Sequence, residues 1–241
     1  MGKNLIQQRR GRGKGLRYKS PSHRFEGSIS YRKYDDTEKN GVTHGKIIDI
    51  FHCAGHSSPL MKVDYNGERV LMSAPENVYV GASVSTGHNS EIKDGNILPL
   101  SKIPEGTSIC CIETNPGEGP SYCRSGGSFA KIVGKTNGYV DIKFPSKKIK
   151  TLREDCRALI GIVGGGGRRD KPFVKAGNRW HKMGARNKLY PQTSGVAMNA
   201  VDHPFGSGRG RHKGKPTIPP RFAPPGRNVG KLHARRTGVR K

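Results

Sequence analysis

The sequence predicts a mostly β protein, built as two small barrels in series with a long basic extension at each terminus. Short apolar segments separated by turn signals run through the middle of the chain, as in small barrels and sandwiches. Two Asn-Gly dipeptides, at 66–67 and 137–138, lie between such segments and favour two-residue hairpin turns. The excess positive charge lies entirely at the two ends. We therefore expect a folded middle and ends that bind a polyanion.

The first barrel is predicted over residues 35–85, and its clearest part is the hairpin "LMKVDYNGERVLMS" at 60–73. A turn at Asn66-Gly67 sets the register, because both residues tolerate positive φ. The pairs that follow are Tyr65 with Glu68, Val63 with Val70 and Met61 with Met72. The last two pairs place apolar side chains on one face, as a half-buried sheet requires. Segments 43–51 and 77–84 are expected to complete a meander.

The second barrel is predicted over residues 86–162. "NILPLSKIPEGTSICCIET" at 96–114 gives two short strands around a Pro-Glu-Gly turn, and "SFAKIVGKTNGYVDIKF" at 128–144 gives a second hairpin. "KIKTLREDCRALIGIV" at 148–163 closes the unit. No segment combines a helical period with convincing caps, so strands and turns account for the whole middle region.

The charge of the chain points to its partner. There are 44 Lys+Arg against 18 Asp+Glu in 241 residues, a formal net charge of +26. Residues 34–160 sum to zero, whereas residues 1–33 sum to +9 and residues 161–241 to +17. Nucleic acid is the expected partner, because its condensed counterions are released on binding. No run of 18 apolar residues and no signal-peptide core is present, so we expect a soluble intracellular protein and no membrane partner.

The C-terminal region is too poor in apolar side chains to order itself in water. Residues 161–241 hold fifteen Gly and eight Pro. Two interpretations stay open: a solvated basic tail, or a tail that becomes ordered by threading into a polyanion. Aromatic residues interleaved with the basic ones favour the second interpretation, because they can stack on bases. These aromatics are Phe173, Trp180, Tyr190, Phe205 and Phe222.

The five cysteines, an odd number, argue against a disulfide framework and for reduced thiols. "FHCAGH" at 51–56 brings His52, Cys53 and His56 close together. A structural zinc needs four ligands, usually from paired clusters, and no second cluster has suitable spacing. Neutral histidines and a buried free thiol are therefore favoured over a metal site.

"GIVGGGGRRDK" at 161–171 contains four consecutive glycines, Gly164 to Gly167. It lacks the Lys-Ser/Thr of a nucleotide-binding loop, and a near match at 209–216 departs from that pattern at both ends. One interpretation is a flexible linker. The favoured one is a strip without side chains, which lets backbone N–H groups approach phosphates beside Arg168 and Arg169.

Asp202 and His203, within "GVAMNAVDHPFGSGRG" at 195–210, raise an enzymatic alternative. A triad would also need an activated nucleophile and an oxyanion site on a rigid frame. Ser194 and Ser207 lie nearby, but among Gly and Pro without a strand-to-helix elbow. A buried Asp–His contact that pins a loop against RNA is therefore favoured over catalysis.

The segment at 195–210 also closely resembles the signature of the universal large-subunit ribosomal protein L-two family, in its archaeal form. The resemblance covers essentially the whole chain. "GRGKGLRYKSPSHRFEG" is similar to the N-terminal arm of that family, and "HGKIIDIFHCAGHSSPLMKVDYNGERVLMSAPENVYVG" to its first barrel. "GNILPLSKIPEGTSICCIE" and "DCRALIGIVGGGGRRDKP" are similar to its second. Two departures are Ser194, where an Arg often precedes the signature, and Phe205, where bacterial members commonly have a second His.

The resemblance implies an OB-like barrel followed by an SH3-like barrel, with both extensions buried in large-subunit rRNA. The expected domains are a basic N-terminal arm (1–34), an OB-like RNA-binding barrel (35–85), an SH3-like barrel (86–162) and a Gly/Pro-rich basic C-terminal extension (163–241). It also implies a non-enzymatic ribosomal constituent in the cytoplasm, which binds rRNA near the peptidyl-transferase region. By scaffolding, such a protein supports subunit association, tRNA binding and peptide-bond formation. Expected partners are large-subunit rRNA, neighbouring ribosomal proteins and, at the subunit interface, the small subunit.

The residues expected to contact rRNA combine basic side chains with a few polar and aromatic ones. In the N-terminal arm they are Arg9, Arg10, Arg12, Lys14, Arg17, His23 and Arg24. In the C-terminal extension they are Arg168, Arg169, Arg179, Trp180, His181, Arg186, Asn199, Asp202, His203, Arg209, Arg211, Lys213 and Arg227. No cofactor is expected other than Mg²⁺ held nearby by the rRNA itself. The rival functions are a hydrolase or transferase that uses Asp202 and His203, and a DNA-compacting basic protein.

Overall fold

The computed structural model describes residues 21–218 of the chain. Ser22–Pro172 forms one compact unit, and residues 173–218 belong to another. The contact residues expected at 9–17, and Phe222 and Arg227, lie outside the described range.

The compact unit is mostly β, as predicted, and its strands are short. In chain order the first six are β1 (Thr43–Phe51), β2 (Leu60–Tyr65), β3 (Glu68–Ser73), β4 (Ser83–Thr86), β5 (Ile97–Pro99) and β6 (Ser108–Cys110). The next six are β7 (Ile112–Glu113), β8 (Pro120–Tyr122), β9 (Ala130–Thr136), β10 (Tyr139–Lys143), β11 (Ile149–Arg153) and β12 (Arg157–Ile160). Ten strands form one sheet in the order β11-β10-β9-β6-β12-β5-β4-β1-β2-β3, and β7 pairs with β8 separately.

Both predicted hairpins are confirmed. β2 and β3 pair with Tyr65 opposite Glu68, Val63 opposite Val70 and Met61 opposite Met72. Asn66 and Gly67 at the turn have φ of 51° and 96°, as this turn requires. β9 and β10 form the second hairpin around Asn137-Gly138, with Tyr139 opposite Thr136.

The predicted meander is wrong at its last strand. Only β4 forms within and just beyond segment 77–84, and it pairs antiparallel with β1 instead of following β3 in the sheet. The residues before it form a loop, in which the Gly81 N–H donates to the Ile47 carbonyl at 2.8 Å. Asn77 and Gly81 have φ of 66° and 92°, a conformation outside the β region that interrupts a strand.

The two strands predicted around the Pro-Glu-Gly turn, β5 and β6, are present. Both pair with β12, β5 on one side and β6 on the other. Segment 148–163 supplies β11 and β12, as expected for the end of the unit. A single parallel residue pair, Thr86 with Ile97, joins the N-terminal strands to this group.

Three apolar clusters fill the compact unit. One includes Ile47, Met61 and Met72, and another includes Ile132 and Ile142. The third and smallest is built from Ile29, Cys53 and Leu60. The barrel assignments and the division at 85/86 stay predictions, since β4 spans that position and one sheet includes strands from both sides of it.

Two α-helices were not predicted. α1 (Asp36–Asn40) lies in the compact unit, where the Asp35 side chain caps it by accepting from the Glu38 N–H at 2.9 Å. The pattern Asp-x-x-Glu at 35–38 is a capping-box signal, so the sequence did carry this information. α2 (Ala176–Ala185) lies in the C-terminal extension and has no side-chain cap at its N-terminus. None of the helices in the described part of the chain is both long and apolar enough to cross a membrane.

Candidate nucleic-acid interface

The described part of the C-terminal extension has almost no apolar core. α2 buries none of its residues. From residue 173 to residue 218, the buried side chains are those of His203 and Phe205. Burial of apolar area is the main force that holds a segment folded. This segment therefore depends on other contacts.

Cation–π contacts replace part of that missing core around α2. The Arg179 guanidinium lies 5.2 Å from the Tyr190 ring centroid, and Lys182 Nζ lies 4.5 Å from that of Phe173. The rings of Trp180 and His181 meet edge to face at 5.0 Å. Because Phe173 and Trp180 remain 45% and 54% exposed, aromatic surface is left available for stacking on bases.

Residues 195–207 form a tight loop around the His203 ring. The Phe205 N–H donates to His203 Nδ1 at 3.1 Å. Since Nδ1 accepts, this contact assigns the proton of the neutral ring to Nε2. The ring of Phe205 lies 4.9 Å from that of His203, and Lys213 Nζ lies 5.7 Å from the Phe205 centroid.

Two glycines let this loop close on itself. A Cβ at Gly195 would lie 2.5 Å from the His203 ring, and one at Gly206 would lie 2.3 Å from the Asn199 carbonyl carbon. The Ser207 N–H then donates to the Met198 carbonyl at 3.4 Å across the neck of the loop. The backbone here is shaped by local packing, which leaves the basic residues after it at the surface.

The Asp202–His203 pair is split between surface and interior. Asp202 is exposed, whereas His203 is 9% exposed and its Nδ1 already accepts from a backbone N–H. The burial expected for Asp202 is therefore not found, and a contact between the Asp202 and His203 side chains stays a prediction. The backbone N–H groups of Asp202 and His203 both donate to the Asn199 carbonyl, at 2.9 and 3.1 Å, and so form the turn that carries the pair.

The four-glycine run is packed, which does not fit a flexible linker. A Cβ at Gly127 would lie 2.4 Å from Gly166 Cα, and the Gly164 N–H donates to the Ala74 carbonyl at 2.9 Å. Two stretches of backbone thus cross in direct contact within the compact unit. The last two glycines of the run begin a short 3-10 helix, Gly166–Arg169, which ends in the two arginines. Approach of phosphate to this backbone stays a prediction.

The structure places most of the predicted contact residues at the surface. His23 and Arg24 are exposed in the compact unit, Arg169 is exposed there too, and Arg168 is half-buried with its Nη2 3.4 Å from the Gly126 carbonyl. The exposed residues of the extension are Arg179, Trp180, His181, Arg186, Asn199, Asp202, Arg209, Arg211 and Lys213. Phe205, proposed as a stacking residue, is 8% exposed and packs on His203 instead.

A buried ionic cluster in the compact unit went unnoticed in the sequence. Arg157 is 2% exposed and donates to Glu113 Oε1 at 2.8 Å and to Glu38 Oε1 at 3.0 Å. Arg32 contacts Glu38 as well, and its bond to Asp35 at 2.6 Å holds the pKa of that carboxyl well below its usual range. No local spacing signals these contacts, because the partners lie up to 119 residues apart.

The cysteines are all free thiols, and four of the five are buried. In the "FHCAGH" motif, His56 Nδ1 lies 3.3 Å from Cys53 Sγ, and burial lowers the pKa of His56. Within residues 21–218, no group of three or more His, Cys, Asp or Glu side chains has a metal-binding arrangement.

Comparison with known proteins gives the chain its family. A family model described as "Ribosomal Proteins L2, C-terminal domain" matches residues 93–221. The chain is 52% identical over 243 residues to the large ribosomal subunit protein uL2 of Methanocaldococcus jannaschii, which covers the whole of both chains. It is 49% identical over 242 residues to that of Methanothermobacter thermautotrophicus and 48% identical over 241 residues to that of Methanococcus maripaludis, again over both whole chains. On this sequence similarity, the chain belongs to the uL2 family of large ribosomal subunit proteins, as the archaeal signature at 195–210 indicates.

Proposed function

We propose that the chain is a structural constituent of the large ribosomal subunit and a primary rRNA-binding protein near the peptidyl-transferase region. There it supports subunit association, tRNA binding and peptide-bond formation by scaffolding, without catalysis of its own. Membership of a family of large-subunit proteins supports the ribosomal assignment. The geometry of the extension supports the mode of binding.

One observation carries this proposal: the described extension exposes its cations and buries almost no apolar surface of its own. Arg209, Arg211 and Lys213 follow the packed loop at 195–207 and are exposed. Phosphates held close together in folded RNA repel one another, and cations on a glycine-rich backbone can enter between them. Contacts with RNA then provide the free energy of ordering that burial does not.

His203 contributes to this proposal as a support of loop geometry. Its ring packs against Gly195 and accepts the Phe205 N–H, which fixes the chain just before the basic residues. The protein itself requires no cofactor, and any Mg²⁺ near the interface is held by rRNA. Large-subunit rRNA, neighbouring ribosomal proteins and the small subunit at the interface are the proposed partners, in the ribosome of the cytoplasm.

The salt dependence of binding tests this mechanism. Binding of the full chain to a folded large-subunit rRNA fragment is measured over a series of salt concentrations. The slope of log K against log salt should be steep, at about 0.7–0.9 per phosphate neutralised. The double variant Arg209→Gln/Arg211→Gln should reduce the slope by about 1.4–1.8. Lys39→Gln/Lys93→Gln, the same charge change on exposed residues of the compact unit, should leave it nearly unchanged. A flat response for the unsubstituted chain overturns the proposal.

Two further measurements separate the rivals. If the chain is a hydrolase or transferase, His203→Ala abolishes turnover while rRNA affinity is kept; a scaffold instead shows reduced incorporation into subunits and has no turnover to lose. If the chain is a DNA-compacting protein, duplex DNA competes as well as the folded rRNA fragment, whereas a protein that recognises RNA shape prefers the RNA.

A further inference from the structure

We propose that the outer face of the β9–β10–β11 sheet is a docking surface for an acidic segment of another protein. The outer face is defined by Lys131, Val133, Tyr139, Lys143, Ile149 and Arg153. The proposal rests on the proposed function, because the partner is sought in the large subunit. It differs from the rRNA contacts proposed for the extensions in both location and chemistry.

The β9–β10–β11 region is basic, although residues 34–160 as a whole have no net charge. Residues 131–153 contain seven Lys or Arg and one acid, Asp141. Strand alternation places that acid on the same side as Tyr139 and Lys143, where it is partly buried and accepts from the Thr151 hydroxyl at 2.6 Å. The region is therefore a local basic surface within a part of the chain whose net charge is zero.

Strand register separates the two sides of the sheet. Val140 pairs with Leu152, and Ile142 pairs with Ile132; these four side chains are buried on the inner side. Because successive side chains of a strand point to opposite faces, the residues between these four lie on the outer side of the sheet. Two of the cations near this sheet, Lys135 and Lys150, contact the Ser101 carbonyl and the Tyr122 hydroxyl, and are not counted in the outer face.

The outer face interleaves apolar and basic side chains. Tyr139 pairs across the strands with Arg153, and Ile149 pairs with Lys143, which also pairs with Lys131. Directly opposed side chains lie close enough to form one continuous surface. Tyr139, Ile149 and Val133 are 54%, 58% and 47% exposed. Arg153 approaches Asp155 at 3.6 Å, but both side chains are more than half exposed, so this pair is weak and Arg153 can still bind a partner.

The mixture of apolar and basic side chains on the outer face favours a protein, and not RNA, as its binding partner. Exposed aliphatic side chains such as Val133 and Ile149 gain nothing from phosphates, but are buried favourably against apolar side chains of a protein. Exposed aromatic and Arg side chains, here Tyr139 and Arg153, are enriched at protein interfaces. The cations require acids on the partner. A second copy of the chain is disfavoured, because it would place the same basic face opposite this one.

The sheet edge offers a further binding element. β11 is the terminal strand of the ten-stranded sheet and has β10 as its neighbour on one side. Among the described residues, no strand pairs with its other side. An extended segment can add to such an edge through its backbone while its side chains reach the adjacent face. The inferred partner segment is thus extended and acidic, with apolar residues that contact Tyr139 and Ile149.

Site-specific photo-crosslinking tests this inference. p-Benzoylphenylalanine replaces Tyr139 in the full chain, which is assembled into large ribosomal subunits that are then purified and irradiated. The expected product is a crosslink to a peptide of another protein in which acids outnumber bases. Adding Lys131→Gln, Lys143→Gln and Arg153→Gln should lower its yield about fivefold without affecting incorporation. The same probe at Tyr79, which is 69% exposed elsewhere in the compact unit, should not yield that peptide.

Crosslinks from position 139 to rRNA, to a second copy or to a basic peptide overturn the inference, as does no crosslink in subunits that contain the probe. If the probe at Tyr139 prevents incorporation, position 149 is used in the same way. If neither probe variant enters subunits, hydrogen exchange of the backbone amides of β10 and β11 is measured instead, in subunits that contain the unsubstituted chain and in the free chain. Slower exchange in the subunits supports the inference, and equally fast exchange overturns it. Failure of the unsubstituted chain to enter subunits instead counts against the proposed function.

Discussion

The Arg157 guanidinium and the Glu113 carboxylate form a buried ion pair, with 2.8 Å between Nη2 and Oε1. The Arg157 backbone N–H also donates to the other oxygen of Glu113 at 2.9 Å. Nη1 donates to Glu38 Oε1 at 3.0 Å, and the ring centroids of Tyr31 and Tyr34 lie 5.2 and 5.1 Å from the guanidinium. One side chain of β12 therefore holds α1 and the residues before it against the sheet.

Replacing Arg157 should destabilise the compact unit strongly. Arg157→Met leaves Glu113 buried without its cation and leaves Glu38 with Arg32 alone. Breaking a buried ion pair in this way costs about 3–5 kcal/mol. The free energy of unfolding of the full chain, from urea titration followed by circular dichroism, measures the loss. Arg153→Met is the matched control, because its ion pair with Asp155 is exposed and worth about 0–1 kcal/mol. Equal losses for the two variants would contradict the role given to the cluster.

The crossing of the two glycine stretches predicts a second effect on stability. Gly127 has a φ of +72°, and a Cβ there would lie 2.4 Å from Gly166 Cα. Because the positive φ and the overpacking both disfavour a side chain, Gly127→Ala should lower the free energy of unfolding by about 2–4 kcal/mol. Gly134→Ala is the control: nothing lies within 4 Å of a Cβ there, and the expected change is within about 0.5 kcal/mol. The same urea titration compares the two. A stable Gly127→Ala variant would show that the crossing can relax.

The packed loop in the extension predicts a loss of rRNA affinity on a small substitution. Gly206→Ala would place a Cβ 2.3 Å from the Asn199 backbone, so the loop must open and displace the cations after it. Overpacking costs about 1–3 kcal/mol. If the complex with rRNA loses that free energy, its affinity falls by roughly fivefold to hundredfold. Gly208→Ala meets only one atom, at 4.0 Å, and should bind normally. Filter binding to the rRNA fragment at fixed salt measures both, and equal affinities would refute the loop's part in presenting those residues.

Two thiols predict a loss of stability at alkaline pH. Burial raises the pKa of Cys123 to about 11 and that of Cys156 to about 11. A thiol that keeps its proton longer in the folded state stabilises that state below its ordinary pKa, near 9, and the contribution disappears as pH rises through the raised value. The free energy of unfolding should therefore fall between pH 9 and 11, by an amount on the order of 2–5 kcal/mol.

Denaturant titrations in reducing buffer at intervals across that range measure the effect. Cys123→Ser/Cys156→Ser removes both thiols and should make the decline shallower below pH 10, where Tyr31 and Tyr65 are still protonated in the folded and the unfolded chain alike. The slope that remains comes from Cys110, whose pKa is raised by its contact with Cys111 and by burial. A decline that is just as steep in the double variant would assign the effect to other groups.

Some features could be predicted because they depend on adjacent residues. Asn66-Gly67 and Asn137-Gly138 adopt the positive φ that their turns need, and each turn then fixes the register of its two strands. The capping pattern at 35–38 was available too, but it is short and precedes only a five-residue helix. α2 carried no such signal: Lys175 provides no side-chain cap, and cation–π contacts with Tyr190 and Phe173 hold the helix instead.

The sequence by itself determined the β hairpins, the family and the basic extensions, because backbone preference, motif order and charge are properties of neighbouring residues. Only the tertiary structure decided that β4 pairs with β1, that Gly127 crosses Gly166 and that Arg157 joins Glu38 to Glu113. It also decided that Lys131, Lys143 and Arg153 share one face with exposed Tyr139 and Ile149. These relationships join residues distant in the sequence, and their free energy comes from burial and desolvation, which depend on the closed fold as a whole.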